Sequence, residues 1–324
     1  MAIEKLDLAS FPGWAEKLRR PFQDHYFAMY SSVFGGIVTD PVLMLVPIDD
    51  HMVHRGDGVF ETFKCINGCI YNLQAHLDRL ENSARELGFV LPCAMIGLRD
   101  VVLETVRAGG RRDCLVRLLV SRGPGSFGVS PYECPEVQVY VAVTALKRPF
   151  MELHPAGAKL KTSSIAAKPA FYAGIKNCNY LPNVLMAKEA ADAHVDFVAA
   201  YDDRGFLAEG ATENVGIVTR DHRLLFPELG GILRGTTMMR VAELARALVD
   251  DGTLREVAFR RVTRDEVHAA PEILVVGTTP NVTCACEYDG RKVGDGSPGP
   301  VYAALSRLLL DDIASNHALQ TPVF

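Results

Sequence analysis

Hydrophobic spacing changes period several times along the chain, and each change marks an element. Apolar residues recur through 59–66 and 69–72, and Asn67-Gly68 between them is a strong two-residue hairpin turn. Over 73–87 the period lengthens. Leu73, Leu77, Leu80, Ala84 and Leu87 fall on one helical stripe. Segments 115–121 and 137–143 read as strands, the second with valine at alternate positions. At 147–150 the proline of Lys-Arg-Pro-Phe breaks any regular element. Beyond it short apolar runs at 197–201, 215–219 and 273–276 alternate with helical stripes at 183–193, 237–248 and 300–310. Residues 161–165 read as a further strand leading toward Lys176. Near the start, Ser10-Phe11-Pro12 opens a helix through Trp14 to Leu18, with proline at an early helical position. The pattern is α+β.

A chain of 324 residues is long enough for two domains. The punctuation predicts an N-terminal extension over 1–40, a smaller domain over 41–147, a linker over 148–157 and a larger domain over 158–324. An apolar fraction of 48% and a charged fraction of 23% suit a globular enzyme. Thirty-four basic and 39 acidic residues give a net charge of −5 without a basic stripe, which argues against nucleic acid and anionic membranes as partners. The apolar runs are too short to span a bilayer. Glu4 and Asp7 sit where a secretory signal would be apolar, so a cytoplasmic location is expected. The eight cysteines are scattered, without zinc-finger spacing, and no metal site is expected. They read as buried thiols in a reducing compartment.

Candidate chemistry is concentrated in four blocks. Gly174-Ile175-Lys176-Asn177-Cys178-Asn179-Tyr180-Leu181 places a lysine before a helix. Ala208-Glu209-Gly210-Ala211-Thr212-Glu213-Asn214 follows with two carboxylates in a glycine turn. Leu233-Arg234-Gly235-Thr236-Thr237 and Gly277-Thr278-Thr279-Pro280 complete the set. An amine, an acid and two glycine-threonine turns are what pyridoxal 5′-phosphate requires: a partner for its aldehyde, an anion for its pyridine nitrogen and donors for its phosphate. Lys176 and, eight residues upstream, Lys168 compete for the first role, Glu209 and Glu213 for the second. Thr236 and Thr237 open a helical stripe, so their N–H groups would face an anion at a helix N-terminus. Gly235 would allow close approach. Thr278 and Thr279 would add hydroxyls and N–H donors after a buried strand.

The order of these blocks, with His54-Arg55-Gly56-Asp57-Gly58-Val59-Phe60-Glu61-Thr62 and His76-Leu77-Asp78-Arg79-Leu80 upstream, resembles the fold-type IV (class IV) pyridoxal-phosphate aminotransferases. The resemblance covers residue 43 to the C-terminus. It implies two domains, the smaller α/β and the larger a pseudo-barrel, and a homodimer with active sites near the interface. The pattern Lys-x-x-Asn-Tyr-Leu selects Lys176 as the Schiff-base lysine and proton carrier, and Glu-Gly-x-x-x-Asn selects Glu209 as partner of the pyridine nitrogen. The resemblance further implies that Tyr180 bonds the cofactor's phenolic oxygen, that Arg79 binds its phosphate and that Asn214 supports the turn or the ring. Members of the family often begin near residue 44, which makes the first 40 residues an addition similar to that of plant-type D-amino-acid enzymes.

Substrate choice rests on fewer residues. Arg117, in a strand flanked by apolar residues, matches an arginine that meets a substrate carboxylate in branched-chain enzymes, and an arginine fork suits that group. It is expected to be buried, with Glu61 or Asp57 as rival partners. Arg55, which stands where branched-chain enzymes usually carry an aromatic, joins Arg117 as a candidate for binding the substrate carboxylate. Phe60, Glu61 and Thr62 are candidates for the substrate pocket. Phe127 and Val129 replace an arginine and a histidine of bacillary D-amino-acid enzymes, and Leu115 replaces a tyrosine of branched-chain enzymes. Likeness of Asp49-Asp50-His51-Met52-Val53-His54-Arg55-Gly56 to plant-type D-amino-acid aminotransferases favours a transaminase acting on D-alanine or D-glutamate with a 2-keto acid. Thr62 keeps an aminodeoxychorismate lyase as the alternative, beside a branched-chain L-aminotransferase.

Overall fold

A computed structural model describes residues 3, 5–91 and 95–324, so Glu4 and Cys93 lie outside the described residues. The chain divides into two compact units. One comprises Met1–Ile70, Phe89–Leu146 and Pro322–Phe324, the other Tyr71–Gly88 and Lys147–Thr321.

The first unit is built on a sheet in the order Gln320–Pro322, Cys69–Tyr71, Gly58–Ile66, Cys114–Ser121, Gln138–Thr144, Tyr26–Ser31, Gly36–Val38. Every pairing from Cys69–Tyr71 to Gly36–Val38 is antiparallel. The hairpin forms at Asn67-Gly68, whose φ values of 52° and 83° are the positive pair that a tight two-residue turn needs. The helix Met95–Gly109 packs on this sheet. Alternation in Cys114–Ser121 follows, with Val116, Leu118 and Val120 fully buried and Arg117 exposed. Part of the first 40 residues joins this sheet. Tyr26–Ser31 and Gly36–Val38 are strands of the sheet, and Ala28 and Met29 are in its core. They cover the second edge of the valine-rich strand Gln138–Thr144, which would otherwise be left as an open template.

The second unit carries a mixed sheet in the order Glu256–Phe259, Arg223–Phe226, Asn214–Val218, Glu272–Gly277, Asn281–Tyr288, Ala158–Thr162, Phe197–Ala199, with Arg291–Lys292 beside Asn281–Tyr288. Its core gathers around Val215, Ile217, Leu225, Ile273 and Val275. Chain beyond the edge strand Phe197–Ala199 folds back on itself. Ala208 N–H donates to Ala200 O at 2.9 Å, and Leu207 N–H donates to Val262 O at 2.8 Å. Leu207 thus joins the Phe197–Ala199 side to the stretch after Glu256–Phe259, which closes the sheet into a pseudo-barrel.

Two expectations shift. The helix Leu73–Glu86 clusters with the second unit rather than with the domain its sequence position suggested. The strand before Lys176 ends at Thr162, and Lys176 lies in irregular backbone after a short helix, Ala170–Ala173. Ser163 N–H still donates to Ala199 O at 2.8 Å, but the Glu189 carboxylate takes the next backbone donor, Ser164 N–H, at 3.0 Å, together with Ser163 Oγ at 2.7 Å. Among the described residues no helix is long and apolar enough to cross a membrane, and no cluster of His, Cys, Asp or Glu could hold a metal ion.

Candidate active site

One face of the helix Leu73–Glu86 organises the second unit's polar groups. His76, Arg79 and Ser83 are spaced by one turn each. His76 Nε2 and Thr236 Oγ1 share a hydrogen bond of 3.2 Å. Arg79 Nη1 donates to Arg234 O at 3.0 Å. Ser83 Oγ accepts from the backbone N–H of Lys176 at 3.2 Å. The helix thus fixes both the turn at 234–236 and the lysine.

Lys176 is buried, and its Nζ donates to Tyr180 Oη at 3.2 Å. Tyr180 caps the helix Leu181–Asp192, with Pro182 in its first turn. The glycine turn that follows is held from several sides. Glu209 Oε2 accepts from Leu233 N–H at 3.1 Å, and Asn214 Nδ2 donates to Leu233 O at 3.0 Å. Burial pushes the Glu209 carboxyl up to about 7, while the Leu233 N–H, Lys168 and Lys176 pull it down and Glu213 opposes them. Burial also raises the Glu213 carboxyl, which accepts from Thr212 N–H and Thr212 Oγ1.

Gly235 precedes the helix Thr236–Leu244, so the first N–H groups of Thr236 and Thr237 have no carbonyl within the helix. A Cβ at Gly235 would fall 2.0 Å from Asn214 Oδ1, so only glycine lets these two segments approach. A cavity of about 470 Å³ lies beside this turn, lined by Arg79, Asn82, Arg234 and Thr236 among others. Thr278 and Thr279 form the turn between Glu272–Gly277 and Asn281–Tyr288. A Cβ on Gly277 would lie 3.8 Å from Glu213 Cγ, which places that turn against the glycine loop.

The remaining candidates belong to the first unit. Phe60 and Thr62 pair with Leu119 and Arg117 and share their sheet face. Glu61 pairs with Leu118, is fully buried and occupies the opposite face. The two-residue period of a strand separates it from its neighbours. Arg117 is exposed rather than buried. Asp57 is taken by His51 at 2.9 Å and Arg122 at 3.0 Å. Arg55 donates to the carbonyls of His54, Phe127 and Gly128 at 2.9, 2.6 and 3.2 Å, which ties it to the 127–128 loop.

Two residues beside these groups carry no role in the sequence reading: His76 and Ser83. Both were legible, as i−3 and i+4 of Arg79. Lys168, the rival for the amine, takes a different place. Its Nζ lies 4.4 Å from the Tyr180 ring centroid, a contact that no local spacing announces.

A family model described as Amino-transferase class IV matches residues 58–288. The D-amino-acid transaminase, chloroplastic, of Arabidopsis thaliana is 40% identical over 92% of this chain and 79% of its own length. A putative branched-chain-amino-acid aminotransferase of Methanocaldococcus jannaschii is 32% identical over 82% of this chain and 90% of its own. Among solved structures, a T.th. branched-chain amino acid aminotransferase with pyridoxamine 5′-phosphate superposes with a TM-score of 0.84 at 29% identity, covering 92% of this chain and 99% of that one.

Proposed function

The chain belongs to the amino-transferase class IV family, and from that premise we propose that it is a D-amino-acid transaminase, moving an amino group from D-alanine or D-glutamate to a 2-keto acid. Enzymes of this class use pyridoxal 5′-phosphate, so that is its cofactor. The residues of the second unit fit the group. They offer a buried lysine, a half-buried carboxylate and a helix N-terminus beside an arginine, with a glycine where a side chain would collide.

In this reading Lys176 would hold the cofactor through its amine, with Tyr180 at its phenolic oxygen and Glu209 at its ring nitrogen. Arg79, the N–H groups of Thr236 and Thr237, and the turn of Thr278 and Thr279 would hold its phosphate. Gly235 would give the backbone its approach, and Asn214 would keep the Leu233 turn in place. When bound, the cofactor supplies an electron-withdrawing ring that accepts the electron pair released at the substrate Cα. Lys176 Nζ would take the proton from the substrate Cα, with Tyr180 Oη 3.2 Å away to orient the amine. Glu209, as a carboxylate, would keep a proton on the ring nitrogen. Arg117 would orient a substrate carboxylate, with Phe60 and Thr62 on the same sheet face. Arg55, engaged with three carbonyls, would act by holding the 127–128 loop.

The observation that carries the choice of substrate is the 40% identity to the Arabidopsis D-amino-acid transaminase across 92% of this chain. Incubation with D-alanine and 2-oxoglutarate, followed by chiral separation, tests it. D-glutamate and pyruvate are the expected products. Products from L-leucine alone would favour the branched-chain reading, and pyruvate from aminodeoxychorismate without a keto acid would favour the lyase.

The same reading includes a homodimer. Phe171, Tyr172, Leu181, Val184 and Leu185 are exposed large apolar residues in the second unit, and a second copy would cover them. It also includes a reducing, cytoplasmic location, consistent with seven free cysteines among the described residues.

A further inference from the structure

The helices Leu73–Glu86 and Thr236–Leu244, which carry the phosphate-side groups, both lead to one buried carboxylate late in the chain. Asp312 lies on the helix Pro300–Ser315, in the same unit as both of them. Tyr71 Oη and Arg240 Nε donate to its Oδ2, the arginine at 2.9 Å. Its Oδ1 accepts from Arg240 Nη2 and, at 2.8 Å, from Asn316 Nδ2. Both oxygens are thus fully engaged, and the arginine meets them as a two-bond fork. Burial pushes the Asp312 carboxyl up, but the bonds from Arg240, Tyr71 and Asn316 outweigh it and hold it below its ordinary value. Two of these donors fix different elements. Arg240 stands on the helix Thr236–Leu244, one turn after Thr236. Tyr71 is buried and precedes Asn72, the left-handed residue with φ of 53° at which the helix Leu73–Glu86 begins. Asn72 N–H donates to Leu319 O at 2.7 Å, so the C-terminal stretch holds the chain there a second time. Arg240 Nη1 also donates to Glu243 Oε2 at 2.9 Å. With two carboxylates against it, this guanidinium contributes position more than free positive charge.

We infer that Asp312 is a positioning residue for the cofactor phosphate: through Arg240 and Tyr71 it holds the helix Thr236–Leu244 and the start of the helix Leu73–Glu86 in one register. The inference rests on the reading that Arg79 and the N–H groups of Thr236 and Thr237 hold that phosphate. Those donors come from two elements far apart in sequence, so one anion meets all of them only while the elements keep their spacing. Near the donors the elements are joined by the 3.2 Å bond of His76 with Thr236 and the 3.0 Å bond of Arg79 with Arg234 O. Asp312 joins them again, through buried bonds to a charged group that are costly to break. Donors already fixed where an anion will sit lose little freedom when it binds, and that advantage goes when their register loosens. Pyridoxal has the aldehyde and the ring without the phosphate. Its binding therefore reports Lys176 and Glu209 and leaves the phosphate donors out.

The test is a pair of affinities. The cofactor-free full chain is titrated with pyridoxal 5′-phosphate and, separately, with pyridoxal, and the visible absorption band is followed. Wild type, Asp312→Asn and Tyr71→Phe are compared, with Arg79→Ala as the reference for a lost phosphate contact. Asp312→Asn puts an amide donor where Arg240 or Tyr71 needs an acceptor. It is expected to weaken pyridoxal 5′-phosphate about tenfold while pyridoxal changes by less than about twofold. Tyr71→Phe, which removes one hydroxyl and keeps the ring, should shift the same ratio in the same direction by less. A loss shared equally by the two cofactors, or no loss with either, would reduce the Asp312 network to packing and overturn the inference. Should Asp312→Asn fold poorly, Tyr71→Phe decides by the same comparison. The underlying reading fails separately, and this inference with it, if wild type binds pyridoxal as tightly as pyridoxal 5′-phosphate, or if Arg79→Ala keeps the wild-type ratio.

Discussion

A carboxylate whose environment opposes its charge is expensive for the folded chain, and Glu209 is that residue here. Its carboxyl stands at about 7, raised chiefly by burial. Between the ordinary carboxylate range and pH 7 the folded protein holds a proton that the unfolded chain has released. Stability of the cofactor-free protein must therefore fall as pH rises through this window, and Glu213, also raised, acts in the same direction. Glu209→Gln removes the titrating group. The cofactor-free variant should lose less thermal stability than wild type between about pH 5 and 8, while turnover drops by about 100-fold or more for want of the ring-nitrogen partner. Melting curves at the two pH values check the first part. An identical pH dependence in the variant would mean that Glu209 is not the group that titrates.

At the scale of elements, the site is assembled by one helix face and one glycine. Leu73–Glu86 was readable as a helix from its stripe, and Arg79 from its motif, yet the sequence did not disclose that the helix belongs with the second unit. That membership depends on His76 and Ser83 meeting Thr236 and Lys176, 160 and 93 residues away, which no local period encodes. Lys176 was similarly legible as a residue but not as a conformation. Its irregular backbone follows the short helix Ala170–Ala173, a break that the apolar pattern of 161–165 does not announce. Glu61 stands apart from Phe60 and Thr62 for a simpler reason, since consecutive strand residues point to opposite faces. Gly235→Ala tests how tight the assembly is. Its Cβ would meet Asn214 Oδ1 at 2.0 Å, so the variant should lose about 1–3 kcal/mol of stability and bind pyridoxal phosphate more weakly. Unfolding by denaturant, with and without cofactor, measures both. Wild-type values for Gly235→Ala would show that Asn214 moves aside freely.

For the molecule as a whole, the α+β pattern, the pseudo-barrel and the class of reaction were all within reach of the sequence, because the lysine, acid and glycine-threonine blocks keep a fixed order. The N-terminal strands were not, since Tyr26–Ser31 gains its place only through the distant strand Gln138–Thr144. The exposed apolar residues of Leu181–Asp192 give the assembly a test of its own. Sedimentation should report twice the chain mass for wild type, and Val184→Asp should shift the equilibrium toward single chains. A wild-type protein that sediments as one chain at micromolar concentration would remove the homodimer. The central claim, a D-amino-acid half-reaction carried by Lys176, is tested most directly by mixing the pyridoxal-loaded protein with D-alanine and following its visible absorption band, with L-leucine and Lys176→Ala as controls. The account predicts loss of the band with D-alanine alone, and no such conversion in the variant. A band that persists with D-alanine but is lost with L-leucine would contradict it.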